Sequence, residues 1–159
     1  HLLGRRGRGF AQFLEILDEG RVAIAALAVG VIQRCVDDSV AYANQRRTFG
    51  RTIGSNQAVA FRCADMQVAL AAARQLVYHA AWLCDHGKPF KQEAAVAKLY
   101  ATEAAVDATR AATQIFGGAG FMDETPVARH YRDAKILEIG EGTSEVQRMV
   151  IARSLGIHS

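Results

Sequence analysis

Apolar side chains recur along most of this chain at spacings of three and four rather than two, the signature of helices with one buried face. The clearest run is Val59, Cys63, Met66, Leu70, Ala73, Val77, Ala80 and Cys84. It predicts a bundle helix from about Asn56 to His86, packing at a shallow angle to its neighbours. A similar repeat, Ala95, Leu99, Thr102, Val106, Thr109, Thr113 and Phe116, predicts another long helix whose small side chains let a neighbour approach closely. Gly87, Lys88 and Pro89 between them read as a C-cap and a helix start. Upstream, a helical region covers about Phe10 to Arg47, with a break expected around Asp18 to Gly20. Val22, Val29, Val36 and Val40 lie on related faces of its second part. A turn containing Gly50, Gly54 and Ser55 follows. Downstream, Gly117, Gly118 and Gly120 end the third helix, and Pro126 starts a short one through Ala134. The last helix runs from about Thr143 to Leu155, with Ser144 and Gln147 at capping-box spacing and Val146, Met149 and Val150 as its apolar stripe. The pattern predicts an all-α protein, an antiparallel up-and-down four-helix bundle with short additional helices. It occupies residues 10–159 behind a basic Gly/Arg-rich lead-in at residues 1–9.

Composition narrows the function classes. Half of the 159 residues are apolar, but the longest nearly uninterrupted run, Val22 to Ile32, falls short of the roughly 18 needed to cross a bilayer, so no membrane role is expected. No segment has the pattern of a signal peptide. The net charge of +3 is mild, and Arg5, Arg6 and Arg8 read as a solvated lead-in without aromatic interleaving, so no nucleic-acid partner is expected. Cys35, Cys63 and Cys84 read as buried free thiols in a reducing compartment. His1, His79, His86, His130 and His158 form no ligand spacing, and no metal site is expected.

One residue draws attention as chemistry. Glu141 lies between Gly140 and Gly142, just ahead of a helix start whose dipole favours an ionised carboxylate. That suits a general base. On spacing alone, a solvated loop glutamate is the stronger reading.

Four segments in series change the weighting. They are Gly20-Arg21-Val22-Ala23-Ile24-Ala25 preceded by Leu17-Asp18, and Arg46-Arg47-Thr48-Phe49-Gly50 followed by Asn56-Gln57. The others are Gln114-Ile115-Phe116-Gly117-Gly118-Ala119-Gly120-Phe121 and the stretch from Tyr131 to Arg153. Together they resemble the acyl-CoA dehydrogenase family, and the last resembles its C-terminal signature. The resemblance implies the C-terminal bundle of an enzyme whose N-terminal helical and middle β-domains are absent here. It implies FAD as cofactor, an acyl-CoA substrate, electron-transfer flavoprotein as electron acceptor, and a homotetramer or homodimer in which FAD spans two subunits. Glu141 would remove the substrate α-proton while the β-hydride passes to flavin, giving a 2,3-enoyl-CoA in fatty acid metabolism.

By the same resemblance, Arg46 and Thr48 look like flavin contacts across the subunit interface, with Gln57 beside them. A planar guanidinium suits a pyrophosphate. Gln114, Ile115, Phe116, Gly117 and Gly118 look like a further flavin contact, where glycine lets backbone amides come close. Thr143, Ser144 and Glu145 match flavin-contacting positions, and Asp18, Arg21 and Gly142 match substrate-proximal ones. Arg21 near the base would help hold Glu141 ionised. The residues alone allow blander roles: a solvated helix-end arginine for Arg46, a helix C-cap and turn for Gln114 to Gly118, a plain cap for Ser144, and capping of a broken helix by Asp18. Some family members place the base just before the arginine matching Arg21; that position is Gly20, which cannot serve. Gly140 departs from the aromatic residue that precedes the glutamate in many straight-chain enzymes. The chain alone is expected to be inert, and a bacterial cytoplasm is favoured over a mitochondrial matrix. A non-catalytic assembly bundle and a family member acting on a non-CoA substrate are the alternatives.

Overall fold

Alanine decides how closely these helices pack. The structure, a computed structural model, describes residues 1–157; His158, one of the histidines considered above, lies outside the described residues. Among the described residues there are five α-helices: α1 (Gly9–Gln45), α2 (Gln57–Asp85), α3 (Lys91–Phe116), α4 (Pro126–Ile139) and α5 (Ser144–Ser154). They form the expected all-α, antiparallel up-and-down bundle with short additional helices. α3 packs against α1, α2, α4 and α5 and so occupies the centre. It can do so because Ala94, Ala95, Ala97, Ala101, Ala105, Ala108 and Ala112 are all buried, covering more than one side of the helix. Small side chains at a contact favour the lower end of the usual interaxial range of about 8–10 Å. The predicted Ala95-to-Phe116 stripe describes only one of these sides. The others are nearly all alanine, which hydrophobic periodicity registers weakly.

Several local expectations are corrected. α1 is continuous through Asp18, Glu19 and Gly20, with no break. An interior glycine costs only about 1 kcal/mol, which the packing of a long helix readily offsets. Asp18 therefore caps nothing; it bonds Arg21 one turn on. The buried face of α1 is Arg21, Ala25, Ala28, Ile32, Cys35, Val36, Ser39 and Ala43. Of the four valines only Val36 is on it; Val22 and Val29 flank it, and Val40 is exposed. α4 continues to Ile139, past the expected end at Ala134, because Ala134 and Leu137 share one buried face. In α5 the N-cap is Thr143, whose hydroxyl accepts from the Val146 N–H (3.4 Å), not Ser144. The buried positions of α5 are Ser144 and Gln147, while Val146 and Met149 face outward and Val150 is half-buried.

The α1–α2 connection holds a two-residue antiparallel strand pair, Arg47–Thr48 (β1) with Arg51–Thr52 (β2), where a plain turn was expected. Tyr42 stacks on Phe116 with ring centroids 4.1 Å apart, tying the C-terminal end of α1 to that of α3. Cys35 is fully buried, and burial with Asp38 nearby pushes its thiol up to about 12. Cys63 and Cys84 are free but only half-buried, so the buried-thiol expectation holds fully for Cys35 alone. No described helix is long and apolar enough to cross a membrane.

The alanine-limited spacing is testable. Ala105→Leu puts three extra carbons into a fully closed position and should destabilise the fold by about 1–3 kcal/mol, read as a lowered denaturant midpoint. An unchanged midpoint would mean that α3 has room to spare.

Candidate functional site

The loop between α4 and α5 is built around a strained glutamate. Glu141 has φ 56° and Gly142 φ 94°, both left-handed. For a residue with a Cβ this region costs about 1–3 kcal/mol and persists only where the surroundings hold it. Two buried side chains do so. Lys98, on α3 and fully buried, donates from Nζ to the Glu138 carbonyl (2.9 Å) and the Gly142 carbonyl (2.8 Å). Gln147, on α5 and also fully buried, donates from Nε2 to the carbonyls of Glu141 (3.1 Å) and Gly142 (2.8 Å). Hydrogen bonds involving a charged group contribute about 1.5–3 kcal/mol and neutral ones about 0.5–1.5, enough together to offset the strain. Gln147 is thus no capping-box partner: it faces inward, onto the loop.

The outcome is a directed carboxylate. The Glu141 side chain lies against α1 at Gly20, where an added Cβ would stand 2.7 Å from Oε2 and 2.9 Å from Cδ. Gly20 is therefore a point of close approach, and the segment before Arg21 and the glutamate form one site. Arg21 is buried beside them, but its guanidinium donates to Asp18, and among the described residues no ion pair reaches Glu141. Arg21 is thus paired with Asp18 while lying close to the base. Burial pushes the Asp18 carboxyl above its ordinary value, outweighing Arg21 and Lys91, which pull it down. At the start of α5, Glu145 is held below the ordinary carboxylate range, first by its own backbone N–H and then by the Thr143 hydroxyl. This helix end favours negative charge. Ser144 Oγ is buried there with no partner among the described residues.

The remaining predicted residues gather elsewhere. Arg46, Thr48 and Gln57 sit at the far end of α1, about 36 Å from Arg21 at about 1.5 Å per residue. The Tyr42–Phe116 stack brings Gln114 to Gly118 to this same end. Gln114 is exposed, Ile115 turns into the core, and Gly117 (φ 60°) and Gly118 have open space where a Cβ would be. A shallow cavity of about 380 Å³ is lined by Arg110, Thr113, Gln114, Gly117 and Tyr131. The Arg47 and Arg51 guanidiniums bond Gly50 and Asn56, whereas that of Arg46 has no hydrogen-bonding partner among the described residues. The site residues thus form two groups at opposite ends of the bundle. Among the described residues, no three His, Cys, Asp or Glu side chains are grouped to hold a metal.

Sequence reasoning missed Lys98, whose only signal is a lysine inside an alanine-rich face, and it misassigned Gln147. It also left out Phe49 as an individual residue. Phe49 is fully exposed at the tip of the β1–β2 turn with φ 51°, followed by Gly50 at φ 81°.

An all-α bundle carrying a glycine-flanked glutamate on a clamped loop has clear relatives. Residues 7–156 match the acyl-CoA dehydrogenase C-terminal domain, and the chain belongs to the acyl-CoA dehydrogenase family. It is 56% identical over 155 residues to the probable acyl-CoA dehydrogenase YngJ of Bacillus subtilis, covering 98% of this chain and 41% of that protein. It is similar to the structure of butyryl-CoA dehydrogenase from Megasphaera elsdenii, with TM-score 0.95 and 47% identity over 96% of this chain and 40% of that one. A structure of PigA with FAD and proline is likewise similar, with TM-score 0.95 and 34% identity over 99% of this chain and 41% of the other. The chain therefore spans about two-fifths of the length of these relatives.

The strained tip gives a prediction. Phe49→Asn places a residue that tolerates left-handed backbone where the native ring touches little, and should raise thermal stability of the chain by up to about 1 kcal/mol. A loss of stability would show that the ring makes contacts within the chain.

Proposed function

We propose that this chain is the C-terminal domain of an FAD-dependent acyl-CoA dehydrogenase in which Glu141 is the catalytic base. The observation that carries the reading is the Glu141 carboxylate, held against Gly20 by a loop locked from inside. Proton abstraction next to a thioester carbonyl needs a carboxylate fixed in position and shielded from bulk water, since misplacement by about 1 Å can cost about 10²-fold. Glu141 is half-buried, and an acyl chain entering beside it would strip away more water and make it a better proton acceptor. Gly20 leaves room for the carboxylate and has no side chain to compete for the proton. The buried Asp18–Arg21 pair and Gly142 form part of the wall around the substrate's reacting end.

The residues present fit FAD. Ser144 Oγ is a buried hydroxyl without a partner, the first turn of α5 favours anions, Gly117 and Gly118 leave backbone open to close approach, and Arg46 has an uncommitted guanidinium. Thr143, Ser144 and Glu145 would hold the cofactor beside the base. Arg46, Thr48, Gln57, Gln114, Phe116, Gly117 and Gly118, with the backbone of Ile115, would hold a second copy. FAD, when bound, supplies the acceptor for the β-hydride. The span of about 36 Å between the two groups favours a homo-oligomer, dimer or tetramer, in which each chain serves two cofactors. Electron-transfer flavoprotein is the partner this reading assigns to the parent enzyme as electron acceptor. The chain by itself, two-fifths of such an enzyme, should not turn over. The Bacillus subtilis relative favours a bacterial cytoplasmic setting for the parent enzyme, in fatty acid metabolism. A non-CoA substrate is the second reading, favoured by the likeness to PigA with FAD and proline.

Two substitutions in the full-length flavoprotein test the reading. Glu141→Gln keeps the shape and removes the base; exchange of the substrate α-proton with deuterated solvent should fall by at least about 10³-fold. Undiminished exchange would assign the chemistry to another residue. Gly20→Ala should leave helix α1 as stable or about 0.5–1 kcal/mol more so, while its Cβ displaces the carboxylate and slows exchange by about 10²-fold. Equal rates would show that the Gly20 contact does not matter for positioning.

A further inference from the structure

Lys98 stands out on chemical grounds. It is the one charged side chain among the largest fully buried residues, on a helix whose other inward positions are mostly alanine. Sealing an ammonium inside a bundle is expensive, and a methionine or leucine would fill the same volume without that cost. What an apolar residue could not do is satisfy two carbonyls. One, Glu138 O, belongs to the last turn of α4, where carbonyls lack helical partners and a cation is favoured by the helix dipole. The other, Gly142 O, lies in the loop. The two attachment points bracket Glu141 at positions −3 and +1. Gln147 grips the same loop from α5, sharing the Gly142 carbonyl and adding that of Glu141.

We propose that Lys98, with Gln147 beside it, is a positioning residue for proton abstraction: it fixes the left-handed loop so that the Glu141 carboxylate points at the Gly20 gap. The inference rests on Glu141 being the base. The hydrogen bonds of Lys98 go to backbone carbonyls, so it acts through the loop backbone and through its charge. Burial pushes the Lys98 ammonium below its ordinary value, Glu138, Glu103 and Glu141 oppose this, and Arg21 adds to it. The charges that reach it come from α4 (Glu138), α3 (Glu103), α1 (Arg21) and the loop (Glu141). Glu141 is thus among the carboxylates whose charge reaches the buried ammonium. Lys98 therefore has two separable effects, one geometric, shared with Gln147, and one electrostatic, its own.

The separation sets the experiment. Full-length FAD-loaded protein would be mixed with butyryl-CoA, and the rate of flavin bleaching and of α-proton exchange followed against pH for wild type, Glu141→Gln, Lys98→Met, Lys98→Arg and Gln147→Leu. Lys98→Met should slow both by about 10²-fold, leave KM within about threefold, and move the acid limb of the profile to higher pH. Lys98→Arg, which keeps the charge, should return the acid limb toward wild type. Gln147→Leu should slow the step by about tenfold without moving the limb. Merely structural damage would lower flavin content or stability and leave the limb in place. Wild-type rates and limb in Lys98→Met overturn the proposal. If that variant fails to fold, a wild-type rate in Gln147→Leu overturns it instead. Loss of the base reading itself shows separately, as full exchange in Glu141→Gln.

Discussion

Two hydrogen bonds from one buried ammonium join the central helix to a segment 40 to 44 residues further along the chain. Lys98 belongs to the central helix α3, Glu138 to the end of α4, and Gly142 to the loop before α5. Without that donor the α4 terminus would bury the Glu138 carbonyl with no partner, at about 1–3 kcal/mol, and the Gly142 carbonyl would keep only Gln147. With it, α4 ends where α3 dictates, α5 starts one tight turn later, and the residue between them is held at φ 56°. The alanine surface of α3 is the complementary condition. Small neighbours along α3 let its lysine reach backbone at the end of α4 and in the loop beyond. Packing and polar satisfaction thus act on the same few residues, and Glu141 is where they meet.

Length is the second constraint. α1 carries one group of site residues near its start and delivers another to its end, with about 36 Å between. The antiparallel order α1, α2, α3 returns the chain so that the start of α3 serves the first group and its end the second, as the Lys98 contacts and the Tyr42–Phe116 stack show. A bundle of this kind holds the two groups of predicted residues apart. Phe49, fully exposed and held in left-handed backbone, stands at the tip of the turn beyond the end of α1.

Much of this was legible in the sequence where burial falls on one face. The α2 stripe, the Gly87–Pro89 junction, Pro126 at the head of α4 and the end of α3 at Gly117 all follow from spacing and breaker residues. The failures share a cause: a local signal was overridden by packing. Asp18 and Gly20 look like a helix break, yet a 37-residue helix runs through them. Val22, Val29, Val36 and Val40 look like a core stripe, yet smaller Ala25, Ala28 and Ser39 take the inside. Ser144 and Gln147 match a capping box, yet the neighbouring Thr143 caps and Gln147 is drawn inward by carbonyls no sequence pattern reveals. Glu141 itself was visible through its glycines and its family signature. The means of holding it was not, since Lys98 lies 43 positions upstream and nothing local links the two.

The account stands on where the Glu141 carboxylate points when a substrate is present. The direct measurement is a crystal structure of the full-length flavoprotein with FAD and a non-reactive acyl-CoA analogue. The prediction is a Glu141 oxygen within about 3–3.5 Å of the analogue's α-carbon, with the Glu138 and Gly142 carbonyls still bound to Lys98. A carboxylate turned away from the α-carbon, or a different side chain closer to it, would contradict the account.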